Sequence, residues 1–414
     1  MAAPLKTALS SSTAAAATAV SSASASAGFV PRAVFEVSSS ITRSYFLGHH
    51  AGALTAMRRV LSNIGLVLEC RDSRVPITSA NPLLETALAG RDRIVVYTKA
   101  DLCAPPGARW AKEQQRLLRR WHAAAAATPT LSPSSSFLSA RERERERENE
   151  EEERDDDDEN TRALFTAEFD ARSVQRLLDA VKARAVAAGS LTGLRALVVG
   201  MPNAGKSTLL NALRRVGMRL PGAARTGAQP GVTRKLGTAV RVVAEDADAG
   251  LDEGVFVLDT PGVFVPYVSD LESMLKLSLV GCVKDGLVAT ETLADYLLFR
   301  LNLRDPALYG EFSPPTNDVR AFLDAVATRT GKLQKGGVPC REHAADWVVQ
   351  QYRKGNLGRF ALDDVSEASL AAWSRRLAGD GPQETLSLNQ ARKREKEARK
   401  AKNAAKRQAA ASGS

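Results

Sequence analysis

The stretch LRALVVGMPNAGKSTLLNALR at residues 194–214 constrains the fold more than any other part of the chain. An apolar run of strand length precedes the pattern G-x-x-x-x-G-K-S, and a helix-forming run follows it. In such a glycine-rich turn, backbone N–H groups close around phosphate oxygens, and the helix N-terminus adds partial positive charge. The stretch therefore predicts a buried parallel strand, a phosphate-binding loop and a helix, in that order.

The residues of this loop have separate expected roles. Lys206 is expected to reach the β- and γ-phosphates of a nucleotide, and the Ser207 hydroxyl is expected to bind Mg²⁺. The predicted binding residues of the loop are Asn203, Ala204, Gly205, Lys206, Ser207 and Thr208.

A second apolar strand, GVFVLD at 254–259, runs into the sequence DTPG. Alone, DTPG is an ordinary turn that starts at an Asp. After a strand and downstream of a phosphate loop it indicates a γ-phosphate sensor, in which Asp259 holds Mg²⁺ through water and the Gly262 N–H meets a phosphate oxygen. Thr233, in the intervening GAQPGVTRKLG, is placed to complete the magnesium shell. The predicted catalytic residues of these motifs are Lys206, Thr233 and Gly262, and the predicted magnesium ligands are Ser207, Thr233 and Asp259.

The sequence TKAD at 98–101 follows the apolar strand RIVVY. A carboxylate at Asp101 can accept hydrogen bonds from guanine N1–H and the 2-amino group, a donor pair that adenine lacks, and Lys99 can lie along the base. GTPases ordinarily carry this motif after the phosphate loop, whereas here it lies well before it. A parallel sheet tolerates the reversal because every loop emerges at the same carboxyl edge, and nearby termini can be joined. We interpret the order as a circular permutation.

The order TKAD, GMPNAGKS, GVT, DTPG resembles the circularly permuted YlqF/RbgA-type ribosome-assembly GTPases. The segments YFLGHHAGALTAMRRVL, VGCVKDGLVATETLADYLLF and AADWVVQQYRKGNLGRF are similar to flanking parts of that family, so the resemblance covers about 45–365. It implies an α/β fold, with a circularly permuted P-loop GTPase domain of about six mostly parallel strands followed by a small α-helical domain. We expect the strands at 64–70, 93–98, 161–167, 194–200, 238–245 and 254–259.

The resemblance also implies a guanine loop and a potassium site. FTAEFD places Thr166 and Ala167 at the family's S-A element, where the Ala167 N–H is expected to meet guanine O6. The chain departs from the family pattern at Thr166, which replaces Ser, and at Thr98, which replaces the usual Asn. Asn203 matches the P-loop Asn of potassium-stimulated GTPases. The implied cofactors are GTP/GDP, Mg²⁺ and K⁺.

The nucleotide motifs do not themselves supply a residue that orients the attacking water. Many GTPases place a Gln directly after D-x-x-G, but this chain has Val263 there, and an apolar side chain cannot orient water. The resemblance offers His49 in YFLGHH as the catalytic residue, against the alternative of an ordinary surface histidine.

The outer segments differ in composition from the core. Residues 1–44 are rich in Ala and Ser and contain no acidic residue before Glu36, as in transit peptides, although a plain low-complexity tail and a chloroplast signal remain alternatives. Within an insertion at about 122–160, residues 141–160 carry 5 basic and 13 acidic residues, which favours a solvated loop. The tail at 379–414 includes 9 basic and 2 acidic residues at 392–407, which is typical of sequence-blind RNA binding or of a soluble helix.

These features predict a GTPase domain at 45–267, the charged insertion excepted, and a helical domain at 268–378. With the family resemblance they imply a GTP-hydrolysing assembly factor that acts on the mitochondrial large ribosomal subunit and its rRNA in the mitochondrial matrix. Two alternatives stay open: a nucleotide-gated ribosome-binding scaffold with little hydrolysis, and an ATP-hydrolysing P-loop enzyme if TKAD is accidental. The sequence holds no run of 18 apolar residues, so we expect any contact with the inner membrane to be peripheral. Separately, we expect the protein to be a monomer.

Overall fold

A computed structural model describes most of the chain between residues 28 and 378. The insertion beyond residue 126, the loop with Thr233, most of residues 1–44 and the tail after 378 lie outside the described residues. The described residues are 28–37, 48–126, 162–190, 192–224, 227, 237–248, 250–264, 268 and 270–378.

Six strands form one sheet in the order β3-β2-β1-β4-β6-β5. All neighbouring pairs are parallel except β5 and β6, which are antiparallel. Each predicted strand overlaps an observed one, so the predicted six-stranded, mostly parallel sheet is confirmed. The strands are β1 (Leu66–Asp72), β2 (Arg93–Thr98), β3 (Ala163–Phe165), β4 (Leu194–Gly200), β5 (Val240–Val243) and β6 (Val255–Asp259).

Helices cover both faces of the sheet, as the buried central strands require. Every residue of β1 is buried, and alternate side chains pack to opposite sides: Leu68 joins the cluster that includes α4, whereas Val67 joins the cluster with α1 and α2. The described helices are α1 (Gly48–Val60), α2 (Pro82–Ala87), α3 (Arg109–Ala126), α4 (Ala171–Ala188), α5 (Lys206–Met218), α6 (Leu271–Leu279), α7 (Thr290–Arg304), α8 (Val319–Thr330), α9 (Arg341–Lys354) and α10 (Glu367–Ala378). None of the helices in the described ranges is long and apolar enough to cross a bilayer.

The part of the chain after the sheet is helical, from α6 to α10. Its buried residues, such as Leu275 and Leu297, belong to the same apolar cluster as Leu68 and Leu177 under the sheet. The helical pattern agrees with the sequence, while the domain boundary at 267/268 remains a prediction.

Two sequence boundaries shift in the structure. Residues 28–37 were expected to belong to an unfolded leader, but Phe35 and Val37 are buried in the main core, and Arg32 forms an ion pair with Asp295 at 2.6 Å. The insertion was expected to begin at about 122, but α3 continues to Ala126, and buried His122 lies 2.9 Å from the Tyr97 hydroxyl. In both places contacts that are distant in sequence bury residues whose local composition suggests a tail or a loop.

Candidate active site

The carboxyl ends of five parallel strands bring the predicted motifs together. Asp72 at the end of β1 is in register with Thr98 on β2, and Cys70 is in register with Gly200 on β4. On the far side of β4, Val198 is in register with Asp259 of β6. The loops that follow these strands therefore meet at one edge, which is where ligands bind in open α/β sheets.

A cavity of about 590 Å³ lies at this edge. A volume of this size is in the usual range for a small-molecule site. Its lining combines residues from four separate motifs, although they lie up to 164 positions apart in sequence between Thr98 and Gly262. The predicted site residues that line it are Thr98, Lys99, Asp101, Thr166, Ala167, Asn203, Gly205, Lys206, Ser207, Thr208 and Gly262.

The phosphate loop has the backbone that its glycines permit. Gly200 has φ 143°, and a Cβ there would overlap the Cys70 carbonyl oxygen, so only glycine fits. Gly205, with φ 82°, precedes the first turn of α5, so the loop N–H groups and the helix N-terminus face the cavity edge. Lys206 is the first residue of that helix. Its ammonium donates to the Met201 carbonyl at 2.7 Å, and burial lowers the pKa of this lysine.

Two of the predicted magnesium ligands are in contact. The Ser207 hydroxyl donates to the Asp259 carboxylate at 2.5 Å. A hydroxyl and a carboxylate oxygen are hard donors of the kind that Mg²⁺ prefers, so these residues fit the ion that the family implies. Gly262 lies so close to Pro202 of the phosphate loop that a Cβ would come within 2.6 Å of its backbone. The DTPG turn is therefore packed directly against the phosphate loop.

The TKAD residues are bonded to the phosphate loop. Thr98 donates from its hydroxyl to the Ala204 carbonyl at 2.8 Å, and the Lys99 ammonium donates to the Asn203 carbonyl at 2.8 Å. Lys99 adopts a left-handed backbone with φ 56°, which is uncommon for a residue other than glycine. Ala204 is buried and takes part through this carbonyl rather than as a lining residue. Thr98 thus supplies a link between the two loops although it lacks the carboxamide of the family's Asn.

The S-A loop is held against β2. The Thr166 N–H donates to the Tyr97 carbonyl at 2.8 Å, and the Thr166 carbonyl accepts from the Ala100 N–H at 3.1 Å. The Ala167 N–H, expected to meet guanine O6, donates here to the Ser173 hydroxyl at 3.2 Å. A base that used this N–H would have to replace that hydroxyl.

Two predicted catalytic residues are not placed by the structure. His49 falls in α1 by its backbone, but its side chain is outside the described part of the molecule, as is all of Thr233. Val263 is buried, and its carbonyl accepts from the Asn81 amide at 2.9 Å. The position after DTPG is therefore part of the core.

The sequence interpretation missed part of the cavity wall. Arg74 lines it from the loop after β1, and Gly281, Gln350, Arg353 and Lys354 line it from the helical segment. Arg74 lies in CRDSRVP, directly after a predicted strand, and charged residues at a strand's carboxyl end were a usable signal. The helical residues gave no such signal because the fold alone brings them to the sheet edge.

The helical segment is bonded to the phosphate loop. The Asn203 amide nitrogen donates to the Gly281 carbonyl at 2.8 Å. Arg353 donates to the carbonyls of Ser278 and Leu279 at 2.9 and 3.0 Å, at the end of α6, where a positive charge is favourable.

Comparison with known proteins identifies sequence relatives, a matching family and a solved structure of similar fold. The family model for a 50S ribosome-binding GTPase matches residues 195–322. Mitochondrial GTPase 1 of Schizosaccharomyces pombe is 35% identical over 342 residues, which cover 83% of this chain and 95% of that protein. Mitochondrial ribosome-associated GTPase 1 of Xenopus tropicalis is 27% identical over 351 residues, 80% of this chain and 98% of that protein. The structure of GNP-bound YlqF from T. maritima covers 76% of this chain and 99% of its own at 19% identity, with a TM-score of 0.44.

The identity to the Schizosaccharomyces pombe protein extends over nearly the whole length of that relative, beyond the nucleotide motifs. Its range is long enough to include both the sheet and the helical segment. Together with the permuted order of motifs around one cavity, it shows that the chain is a circularly permuted GTPase and belongs to the mitochondrial GTPase 1 family.

Proposed function

We propose that this protein hydrolyses GTP while bound to the mitochondrial large ribosomal subunit, as an assembly factor in the mitochondrial matrix. The observation that carries the chemistry is the single cavity in which TKAD is bonded to the phosphate loop through Thr98 and Lys99. The names of the relatives and the description of the matching family support the ribosomal partner and the compartment.

In this proposal the base is read by Asp101, whose carboxylate accepts from guanine N1–H and the 2-amino group. The Ala167 N–H, released from Ser173, donates to guanine O6. Lys99, which already lies against the phosphate loop, packs along the base. Because adenine lacks the donor pair that Asp101 needs, ATP is rejected.

The phosphate end is proposed to act through Lys206, Ser207 and Gly262. Lys206 exchanges the Met201 carbonyl for phosphate oxygens, and the Gly262 N–H donates to the γ-phosphate. Ser207 and Asp259, with Thr233, would hold Mg²⁺. When bound, the ion neutralises charge that develops between the β- and γ-phosphates.

Orientation of the attacking water is assigned to His49, since Val263 is buried and cannot reach it. Asn203 is proposed to contribute to a K⁺ site that replaces an arginine finger. We expect stimulated hydrolysis to fall in His49→Ala while nucleotide affinity stays unchanged, and turnover to slow when sodium replaces potassium.

Ribosome contact is proposed to include the basic tail at 379–414, which would bind rRNA through phosphates. The protein is proposed to act as a monomer with, at most, peripheral contact to the inner membrane. Deleting the tail should weaken binding to large subunits at moderate salt and flatten the salt dependence by roughly 0.7 to 0.9 log unit per lost phosphate contact. A salt slope equal to that of the full chain would leave the tail without this role.

The deciding experiment is GTP turnover measured with and without purified mitochondrial large subunits, and with small subunits as the control. We expect large subunits alone to stimulate hydrolysis. The buried Val263 favours one competing function, a nucleotide-gated scaffold without hydrolysis. That function would give GTP-dependent sedimentation with large subunits and no stimulated turnover, which would refute the proposed activity.

A further inference from the structure

Asp72, Arg74 and Lys99 form a cluster of charged side chains next to the TKAD loop. The Asp72 side chain is fully buried at the end of β1. One of its oxygens accepts from the Arg74 guanidinium at 2.7 Å and from the Lys99 ammonium at 2.8 Å, and the other accepts from Arg74 Nε at 2.9 Å. The carboxylate therefore joins the lysine of TKAD to an arginine of the cavity wall.

Lys99 is thereby held at two points. Its ammonium lies between the Asp72 carboxylate and the Asn203 carbonyl, each 2.8 Å away. A long side chain with a single neutral contact would retain much of its rotamer freedom, whereas a charge-assisted bond to a rigid, buried carboxylate restricts it.

The other member of the cluster, Arg74, is anchored in the helical segment. Its guanidinium lies over the Tyr352 ring, 5.7 Å from the centroid, and one nitrogen donates to the Arg353 carbonyl at 3.4 Å. The Arg74 carbonyl accepts from the Leu362 N–H at 2.7 Å. Asp72 is thus fixed through Arg74 to the helical segment, independently of Lys99.

We infer that Asp72 is a positioning residue for guanine-nucleotide recognition. It holds Lys99 against the phosphate loop, and through Lys99 it fixes the position of the TKAD loop from which Asp101 binds the base. The inference rests on the proposed function, in which TKAD binds guanine. The inference assigns a role in that function to Asp72, which lies outside the nucleotide motifs and does not line the cavity.

The same strand supplies a matched control. Glu69 is as deeply buried as Asp72, and it also accepts from two cations, Arg71 at 2.7 Å and Arg93 at 2.8 Å. It does not line the cavity. Its partner Arg71 contacts TKAD through its main-chain carbonyl, which accepts from the Thr98 hydroxyl at 3.2 Å, whereas Glu69 holds the Arg71 guanidinium. Asp72→Asn and Glu69→Gln each remove one buried charge from β1, but only the first releases Lys99.

The experiment measures affinities of fluorescent mant-GDP and mant-IDP for the full chain, in wild type, Asp72→Asn, Lys99→Met, the double variant and Glu69→Gln. IDP lacks the 2-amino group, so the ratio of the two affinities reports the Asp101 contact. We expect Asp72→Asn to weaken GDP binding by about tenfold and to lower the ratio, Lys99→Met to do the same, and the double variant to be no worse than either. Glu69→Gln should leave the ratio unchanged.

Equal ratios in Asp72→Asn and Glu69→Gln, or effects of Asp72→Asn and Lys99→Met that simply add, would overturn the inference. If Asp72→Asn does not fold, the pair Asp72→Glu and Glu69→Asp replaces it, because each keeps the charge and moves it by one methylene. Only Asp72→Glu should then lower the ratio, and an unchanged ratio would overturn the inference. Wild-type protein that shows no preference for guanine would instead refute the proposed function.

Discussion

The two ends of the nucleotide cavity are held in different ways. At the base end, Thr98 and Lys99 donate to carbonyls of the phosphate loop, and these bonds join two loops that a nucleotide would not separate. At the phosphate end, Lys206 donates to the Met201 carbonyl and Ser207 to Asp259, and in both pairs the donor is a group that phosphate or Mg²⁺ would claim. The TKAD loop is thus pre-organised for its ligand, and the base end exchanges a partner only where the Ala167 N–H leaves the Ser173 hydroxyl. At the phosphate end both Lys206 and Ser207 must exchange partners, which costs part of the binding energy.

The largest effect should come from the phosphate end. Lys206→Ala removes the buried charge that faces the phosphates, so GDP affinity should fall by roughly two orders of magnitude or more. The nucleotide-free protein should lose little stability, because burial disfavours the charged ammonium and lowers its pKa. Titration with mant-GDP and thermal unfolding without nucleotide check both parts.

Lys112→Ala, an exposed change on α3, is the control for that experiment. If Lys206→Ala unfolded the empty protein while Lys112→Ala did not, Lys206 would be part of the resting structure rather than a group that awaits phosphate.

A substitution in the part of the cavity that binds the base should change which base is preferred more than it changes overall nucleotide affinity. Asp101→Asn replaces an acceptor with a group that can also donate, so preference should move from guanine toward xanthine, by about tenfold or more in the GDP/XDP ratio. Competition of GDP and XDP against mant-GDP measures the ratio. An unchanged ratio would mean that Asp101 does not read the base.

The dependence of stability on acid pH should test the charge of the Asp72 carboxylate. Burial alone would raise the pKa of Asp72, but Arg74 and Lys99 outweigh it and hold the pKa well below its usual range. The unfolded chain then binds the proton more readily than the folded one, so this stabilisation is present above about pH 4 and is lost as the pH falls further, by up to about 1.4 kcal/mol per pH unit.

Urea unfolding between pH 5 and pH 2.5 measures this dependence. Asp72→Asn should show a shallower loss of stability with acid than wild type, and Asp179→Asn, an exposed change on α4, should follow wild type. A wild-type slope in Asp72→Asn would show that Asp72 is not the group that titrates.

The smallest effect should come from Thr98. Thr98→Val keeps the shape but removes the donor to the Ala204 carbonyl, so GDP affinity should fall by about threefold to tenfold, whereas Thr98→Ser should remain close to wild type. Isothermal titration with GDP separates the two variants. Equal affinities for both would mean that the base end does not depend on this bond.

The sequence predicted the sheet and the nucleotide motifs because their signals are local. A buried parallel strand such as β4 is a continuous apolar run, and a glycine at position 200 follows from the close approach of the backbone to Cys70. Thr98, Ser207 and Gly262 were predicted to lie at one edge of the sheet because each lies at or after the carboxyl end of a parallel strand.

The missed features depend on partners far away in the chain. The place of Arg74 after a strand was a usable signal for the cavity wall, but the burial of its side chain depends on Tyr352 and Arg353, nearly 280 positions later. Phe35 lies in a stretch of low-complexity composition, and only the tertiary fold places its ring 5.3 Å from that of Tyr296. No period or motif encodes such contacts, so a single sequence does not reveal them.

Residues 28–37 also limit how much of the N-terminus the molecule can lose. Phe35 packs between Tyr296 and Phe299, and Arg32 pairs with Asp295 on the same helix. Truncation before Gly28 would spare these contacts, whereas truncation beyond Phe35 would remove an aromatic ring from the core, a loss of about 3 to 5 kcal/mol for a buried Phe. The contacts of α7 with Arg32 and Phe35 therefore set how far the N-terminus can be shortened without a loss of stability.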